Sequence, residues 1–262
     1  MELFAKVYIA ATDRLASKHQ LLEETGRHVR ERTIRYLDRD RIPMRVKRLL
    51  RNPLIEKKFR ERGVIDELRT FSNLDNLSPA AQSELERQIG DPDYLPVWFL
   101  TRGAELQRTV ARVRAKTAGG KDMKATGFMV GPRLLLTNFH VFDWSDIGQE
   151  SLGNILPHSL LEFDYEEQFN GTMLPVKTFS LEPATLLLVS RWDNLDYVLV
   201  AVQQQSKDNA VSIDSFGYNR LAGDQGKITK GEPVFIIQHV NGQPKQIVLQ
   251  NNRLVDRDEV LP

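Results

Sequence analysis

The sequence predicts an α+β, multidomain chain: a helical N-terminal region followed by an all-β region of barrel or sandwich type. Three observations carry this. Apolar residues up to about Gln88 recur near the helical period, from about Gln107 the pattern becomes alternation and short apolar runs, and no long helical stretch separates the strand candidates that follow. A chain of 262 residues with 41% hydrophobic content has enough apolar material for more than one core.

The helical reading begins with Leu3, Val7, Ala10, Ala11 and Leu15, and Leu21, Leu22, Val29, Ile34 and Leu37 roughly continue it. Ser78-Pro79 before Ala80-Ala81-Gln82-Ser83-Glu84-Leu85 marks a helix start. A serine can cap free amides there, and proline is tolerated in the first turn, where its missing N–H is not needed. Gly90-Asp91-Pro92-Asp93 stops that helix. Between Arg27 and Arg69 basic residues are in excess. They are interspersed with Glu and Asp and form no recognition motif, so a solvated helix face is favoured over nucleic-acid contact.

The strand candidates are Thr109–Arg114, Thr126–Val130, Leu134–Asn138, Leu160–Tyr165, Leu174–Leu181, Thr185–Ser190 and Asp196–Val202. Gln203 to Asn209 reads as a connection and Asn219 to Gly226 as a loop. A second strand set then follows at Pro233–His239 and Lys245–Gln250, turning at Asn241-Gly242, a pair that tolerates positive φ. The expected organisation is a helical regulatory or interaction domain over 1–90, a linker over 91–106, a first β-barrel over 107–203, and a connection with a partial second barrel over 204–262.

Composition excludes several classes. The net charge of +1 gives no whole-molecule reason to bind nucleic acid or a membrane surface. The absence of cysteine removes disulfides and thiolate metal sites, which fits a reducing interior and also suits many exported bacterial enzymes. His19, His28, His140, His158 and His239 show no ligand spacing with Asp or Glu, so neither a metal nor another cofactor is expected. Met1 to Ala11 is interrupted by Lys6 and followed by Asp13 and Arg14, which is not a signal peptide, and no run approaches the roughly 20 apolar residues of a membrane span. A cytoplasmic location is expected.

The chemistry concentrates on His140 and Asp196. An imidazole can take a proton from a hydroxyl and return it to a leaving group, and a carboxylate on its other nitrogen fixes the tautomer. His140 ends the segment Leu134-Leu135-Leu136-Thr137-Asn138-Phe139-His140-Val141, which follows Ala125-Thr126-Gly127-Phe128; Asp196 opens Asp196-Tyr197-Val198-Leu199-Val200.

That ordering resembles the bacterial trypsin-like, chymotrypsin-fold serine peptidases, in which a Thr/Ser-Gly-Phe strand, a Leu-Thr-x-x-His segment and an Asp-led strand belong to the first barrel. Gly231-Glu232-Pro233-Val234-Phe235-Ile236-Ile237-Gln238-His239 with Asn241-Gly242 looks like the opening hairpin of the second barrel. Leu95-Pro96, Phe99-Leu100 and Arg102-Gly103 resemble the lead-in of members with an N-terminal effector-associated helical region. Val240 stands where the pattern has Pro, Phe139 where Asn, His or Ala is common, and Ala125 where the first Gly is usual.

The resemblance implies an all-β double barrel with the second barrel incomplete, and His140 and Asp196 as catalytic base and orienter. It also implies a protein or peptide substrate, a possible protein partner through the helical domain, and a role in bacterial defence or signalling. His239 takes a structural place in the hairpin. The family nucleophile sits in a Gly-x-Ser-Gly turn, and none occurs between Met1 and Pro262. Ser206, Ser212 and Ser215 follow Asp196, but Asp214-Ser215-Phe216-Gly217 lacks the small residues of such a turn. The 262-residue span is therefore expected to be a fragment that is inactive alone; the alternative is a catalytically dead pseudopeptidase serving as a protein-binding module.

Overall fold

The computed structural model describes residues 13, 16, 18–31, 38–89, 95–116, 122–142, 149–221, 223, 226–250 and 252–256. The helical periodicity of Leu3 to Leu15, that of Ile34 and Leu37, and the stop at Gly90-Asp91-Pro92-Asp93 lie outside the described residues, apart from isolated positions. The architecture is a set of N-terminal helices followed by a β-rich region. The chain divides into two compact units. One joins Asp13 to the described residues of Val97–Leu221 and to Ile236–Val248; the other joins the described residues of Arg14–Pro96 to those of Ala222–Phe235 and of Leu249 onward.

The helical unit contains α1 (His19–Arg30), α2 (Ile42–Leu49), α3 (Pro53–Glu61), α4 (Ile65–Thr70) and α5 (Pro79–Ile89). In α2 the residues Ile42, Val46 and Leu49, and in α5 Ala81, Leu85 and Ile89, recur on one helical face and are buried. They pack with Phe59, Val64, Ile65, Leu68 and Leu77 into one core. Helix starts follow local chemistry: the Asn52 side chain accepts the Leu54 N–H at 3.0 Å before Pro53, and Ser78 Oγ accepts the Ala81 N–H at 3.2 Å before Pro79. Ser78 is itself held, its hydroxyl donating to Glu67 Oε2 at 2.7 Å.

Segments expected to belong to a partial second barrel contribute to this helical unit. Val234 N donates to the Asn252 carbonyl and Leu254 N to the Glu232 carbonyl, so residues 231–234 and 252–254 run antiparallel. Glu232 accepts two hydrogen bonds from Arg45 of α2, at 2.8 and 2.9 Å, and a third from Thr229 Oγ1. A carboxylate that is only 5% exposed needs such partners, which is why this segment groups with α2.

The β unit opens with helix α6 (Trp98–Arg108), which occupies most of the stretch expected as a linker. Seven strands follow: β1 (Val110–Lys116), β2 (Asp122–Gly131), β3 (Leu134–Thr137), β4 (Leu160–Phe163), β5 (Lys177–Ser180), β6 (Leu187–Ser190) and β7 (Tyr197–Ala201). A short helix, α7 (Gln149–Ile155), precedes β4. The sheet order is β5-β4-β1-β2-β3-β7-β6, and every pairing is antiparallel.

A bridge between Leu181 and Val202 draws the end of β5 toward the end of β7, so the sheet curls. Among the described residues the ladder is not closed into a full barrel. Inside the curl lie Val113, Leu135, Phe163, Phe179, Val198 and Val200, each fully buried, with Phe216 against the rings of Phe163 and Phe179. Gly127 faces this core: a Cβ there would come within 2.9 Å of Val113 and 3.2 Å of Leu135, so the bare backbone is a packing requirement.

The last ladder pairs β8 (Ile236–Gln238) with β9 (Gln246–Val248). Its turn places Asn241 at φ 52° and Gly242 at φ 69°, the positive angles expected of that pair.

Candidate active site

Strand β3 ends at Thr137, and the chain enters a single 3₁₀ turn, Phe139–Val141, that carries His140. Phe139 and Val141 are buried on either side of it, so packing fixes the turn while the imidazole stays partly accessible. Thr137 Oγ1 donates to the Thr126 carbonyl at 2.9 Å and Thr126 Oγ1 accepts the His239 N–H at 2.8 Å, which ties the turn's base to β2 and to the β8 hairpin.

Asp196 precedes β7, and the pairing of Thr137 with Val198 brings it beside the turn. Its backbone has φ 50°, in the left-handed region, and its N–H donates to the Arg191 carbonyl at 2.9 Å. The two residues expected from the sequence therefore meet. His140 Nδ1 lies 2.6 Å from Asp196 Oδ2, and the His140 backbone N–H donates to Asp196 Oδ1 at 3.0 Å. An ionised carboxylate only accepts, so the ring proton facing Asp196 sits on Nδ1.

A further donor was not expected from the sequence: Asn138 Nδ2 donates to the Asp196 carbonyl at 3.1 Å and to Oδ2 at 3.3 Å. A carboxamide two residues before His140 was the available signal. Burial pushes the Asp196 acid upward, but the His140 ring and backbone donors, the His140 charge and the Asn138 amide outweigh it and hold the group below the ordinary carboxylate range.

The serines after Asp196 are engaged locally. Ser206 Oγ donates to Asp208 and accepts the Ala210 and Val211 N–H groups. Ser212 Oγ accepts from Gln204, and Ser215 Oγ donates to the Ser212 carbonyl at 2.8 Å. His239 is 3% exposed, its Nδ1 bonded to the Gln243 carbonyl at 3.0 Å. Among the described residues no cluster of three or more His, Asp or Glu could hold a metal, and no helix is long and apolar enough to cross a membrane.

Residues 125–260 match the family model described as the trypsin-like peptidase domain. Over 171 residues the chain is 35% identical to the uncharacterized protein y4fB of Sinorhizobium fredii, a match covering 65% of this chain and 24% of that protein. The chain thus spans about a quarter of the length of this curated relative. It is also similar, at 17% identity and a TM-score of 0.34, to the crystal structure of Rv3671c from M. tuberculosis, a serine-to-alanine mutant in its inactive form; that match covers 60% of this chain and 57% of the other.

Proposed function

Because the chain belongs to the trypsin-like peptidase family, we propose that it carries the base and orienter of a serine endopeptidase that cleaves protein or peptide substrates. His140 is the general base and then the general acid, Asp196 fixes its tautomer and stabilises the imidazolium, and the nucleophile is a serine outside residues 1–262. The observation that supports this most is the pair of hydrogen bonds, 2.6 and 3.0 Å, that one carboxylate makes to the ring and backbone of a single histidine. Such an arrangement fixes the ring's tautomer and orientation, as proton transfer requires.

In the reaction the Nε2 lone pair accepts the serine proton as oxygen attacks the scissile carbonyl. The same proton passes to the leaving amine when the tetrahedral intermediate collapses. The 262 residues hold no Gly-x-Ser-Gly segment, so this span lacks both the attacking oxygen and the amides that accompany it in the family. It is therefore inactive alone. The helical unit serves as the regulatory or interaction module, and the setting is a bacterial defence or signalling pathway in the cytoplasm.

A fluorophosphonate probe applied to the longer encoded protein tests this. Labelling of one serine, abolished by His140→Ala and reduced by Asp196→Asn, is the expected result. Hydrolysis by the purified 262-residue span, or labelling that survives His140→Ala, overturns it.

A further inference from the structure

We infer that Asn138 is a positioning residue whose side-chain amide locks both the backbone and the carboxylate of Asp196, and through them the orientation of His140. The inference rests on the reading of His140 and Asp196 as a proton-transfer pair, and it adds a residue to that pair.

Four observations carry it. Asn138 occupies the residue before a 3₁₀ turn, where an asparagine ordinarily bonds a backbone amide of its own turn. Its side chain makes no such bond. Instead Nδ2 crosses to the residue before β7, 58 residues along the chain, and reaches the Asp196 carbonyl and Oδ2 at 3.1 and 3.3 Å. Asp196 is one of six non-glycine residues with positive φ among the described residues, a conformation that needs support from its surroundings.

The geometry explains what the amide does. Oδ1 receives the His140 backbone N–H and Oδ2 receives the ring Nδ1, so these bonds constrain one face of the carboxylate. The backbone carbonyl of Asp196 points its own lone pairs toward Asn138. By donating to that carbonyl and to Oδ2 together, one amide group ties the left-handed backbone to the plane of the carboxylate. Asn138 is exposed, so it contributes little to the core, and its loss leaves Phe139 and Val141 to hold the turn. It acts through Asp196 and has no role in proton transfer itself.

The test uses the isotopically labelled 262-residue chain and nuclear magnetic resonance, reading the titration of the Asp196 carboxyl carbon and the low-field His140 Nδ1 proton. Losing one donor to the charged carboxylate is expected to raise the proton affinity of Asp196 by about threefold to tenfold in Asn138→Ala. Asn138→Asp keeps the shape and replaces the donor with a second carboxylate, so its shift is larger in the same direction. The Nδ1 proton signal broadens in both. In an Asp196→Asn background Asn138→Ala has no further effect on the His140 titration, whereas a merely structural role would perturb His140 in either background.

Unchanged Asp196 titration and an unchanged Nδ1 signal in both single variants overturn the inference, as does an equal effect on His140 with Asp196 absent. Amide shifts of β3 and β7 verify that each variant is folded; if Asn138→Asp does not fold, Asn138→Ala decides. None of these readouts depends on hydrolysis. Failure of the longer protein to label with a fluorophosphonate would remove the peptidase reading and leave the hydrogen-bond result standing by itself.

Discussion

Acidification should release the β8–β9 hairpin through His239, and the magnitude follows from its surroundings. The ring is 3% exposed; Nδ1 donates to the Gln243 carbonyl, and Nε2 is buried with no hydrogen-bond partner. Facing it are Tyr165, with ring centroids 6.0 Å apart, the Arg112 guanidinium and Glu162 carboxylate from β1 and β4, and the Lys245 ammonium that precedes β9. Burial pushes the imidazole down to about 4 from its ordinary 6.5; the Gln243 carbonyl opposes this, while the Lys245 and Arg112 charges add to it.

Above pH 6.5 folded and unfolded chains both carry a neutral ring, and the contribution of His239 is complete. Between 6.5 and about 4 the unfolded chain binds a proton that the folded one excludes, so stability falls as pH falls. At about 1.4 kcal/mol per pH unit the whole window is worth about 3 kcal/mol. Urea unfolding followed by tryptophan fluorescence at pH 7.5, 6, 5 and 4 measures it. His239→Phe keeps a ring of similar size and removes the titration; its stability should fall with acid less steeply than wild type by about 1 kcal/mol per unit inside the window. Carboxylates that titrate in the same range do so in both proteins and cancel. Equal slopes for wild type and His239→Phe between pH 6.5 and 4 would refute the argument.

Further substitutions probe the packing within each unit. Gly127→Ala places a Cβ against Val113 and Leu135 and should cost about 1–3 kcal/mol, read as a lower urea midpoint with an unchanged slope. Glu162→Ala leaves the buried Arg112 guanidinium with the Gly242 carbonyl at 2.9 Å and the Tyr165 ring. The cost is about 3 kcal/mol, and Arg112→Met added to it should recover part of that; no recovery in the double variant would contradict the burial argument. In the helical unit Gly226→Ala, at φ +75° with its Cβ 2.7 Å from the Met44 carbonyl, should lower the thermal midpoint. Gly223→Ala, where a Cβ meets nothing within 4 Å, serves as the neutral control.

Much of the local structure was written in the sequence. Alternation located seven strands to within a few residues, Ser78-Pro79 marked the start of α5, and Asn241-Gly242 marked a turn with two positive φ angles, because each depends on residues near in the chain. The pair His140 and Asp196 was legible for a different reason: their flanking segments resemble those of the trypsin-like peptidases, and the ladder of β3 on β7 brings the two groups to 2.6 Å.

What tertiary structure alone decided are the contacts that no local propensity specifies. Arg45 holds Glu232 across 187 residues of chain, a contact that groups residues 226–235 with α2. Helix α6 covers the stretch expected as linker from Trp98 onward, its last residues bonded to the Ser215 carbonyl by Arg108 and to Lys245 by Gln107. Asn138 closed a strand candidate in the sequence; only the left-handed backbone of Asp196, set by the approach of β3 and β7, gives its amide two acceptors to reach. Period and turn chemistry act over a few residues, whereas the satisfaction of buried charges and the exact partner of a side chain depend on segments that meet only after the chain has folded.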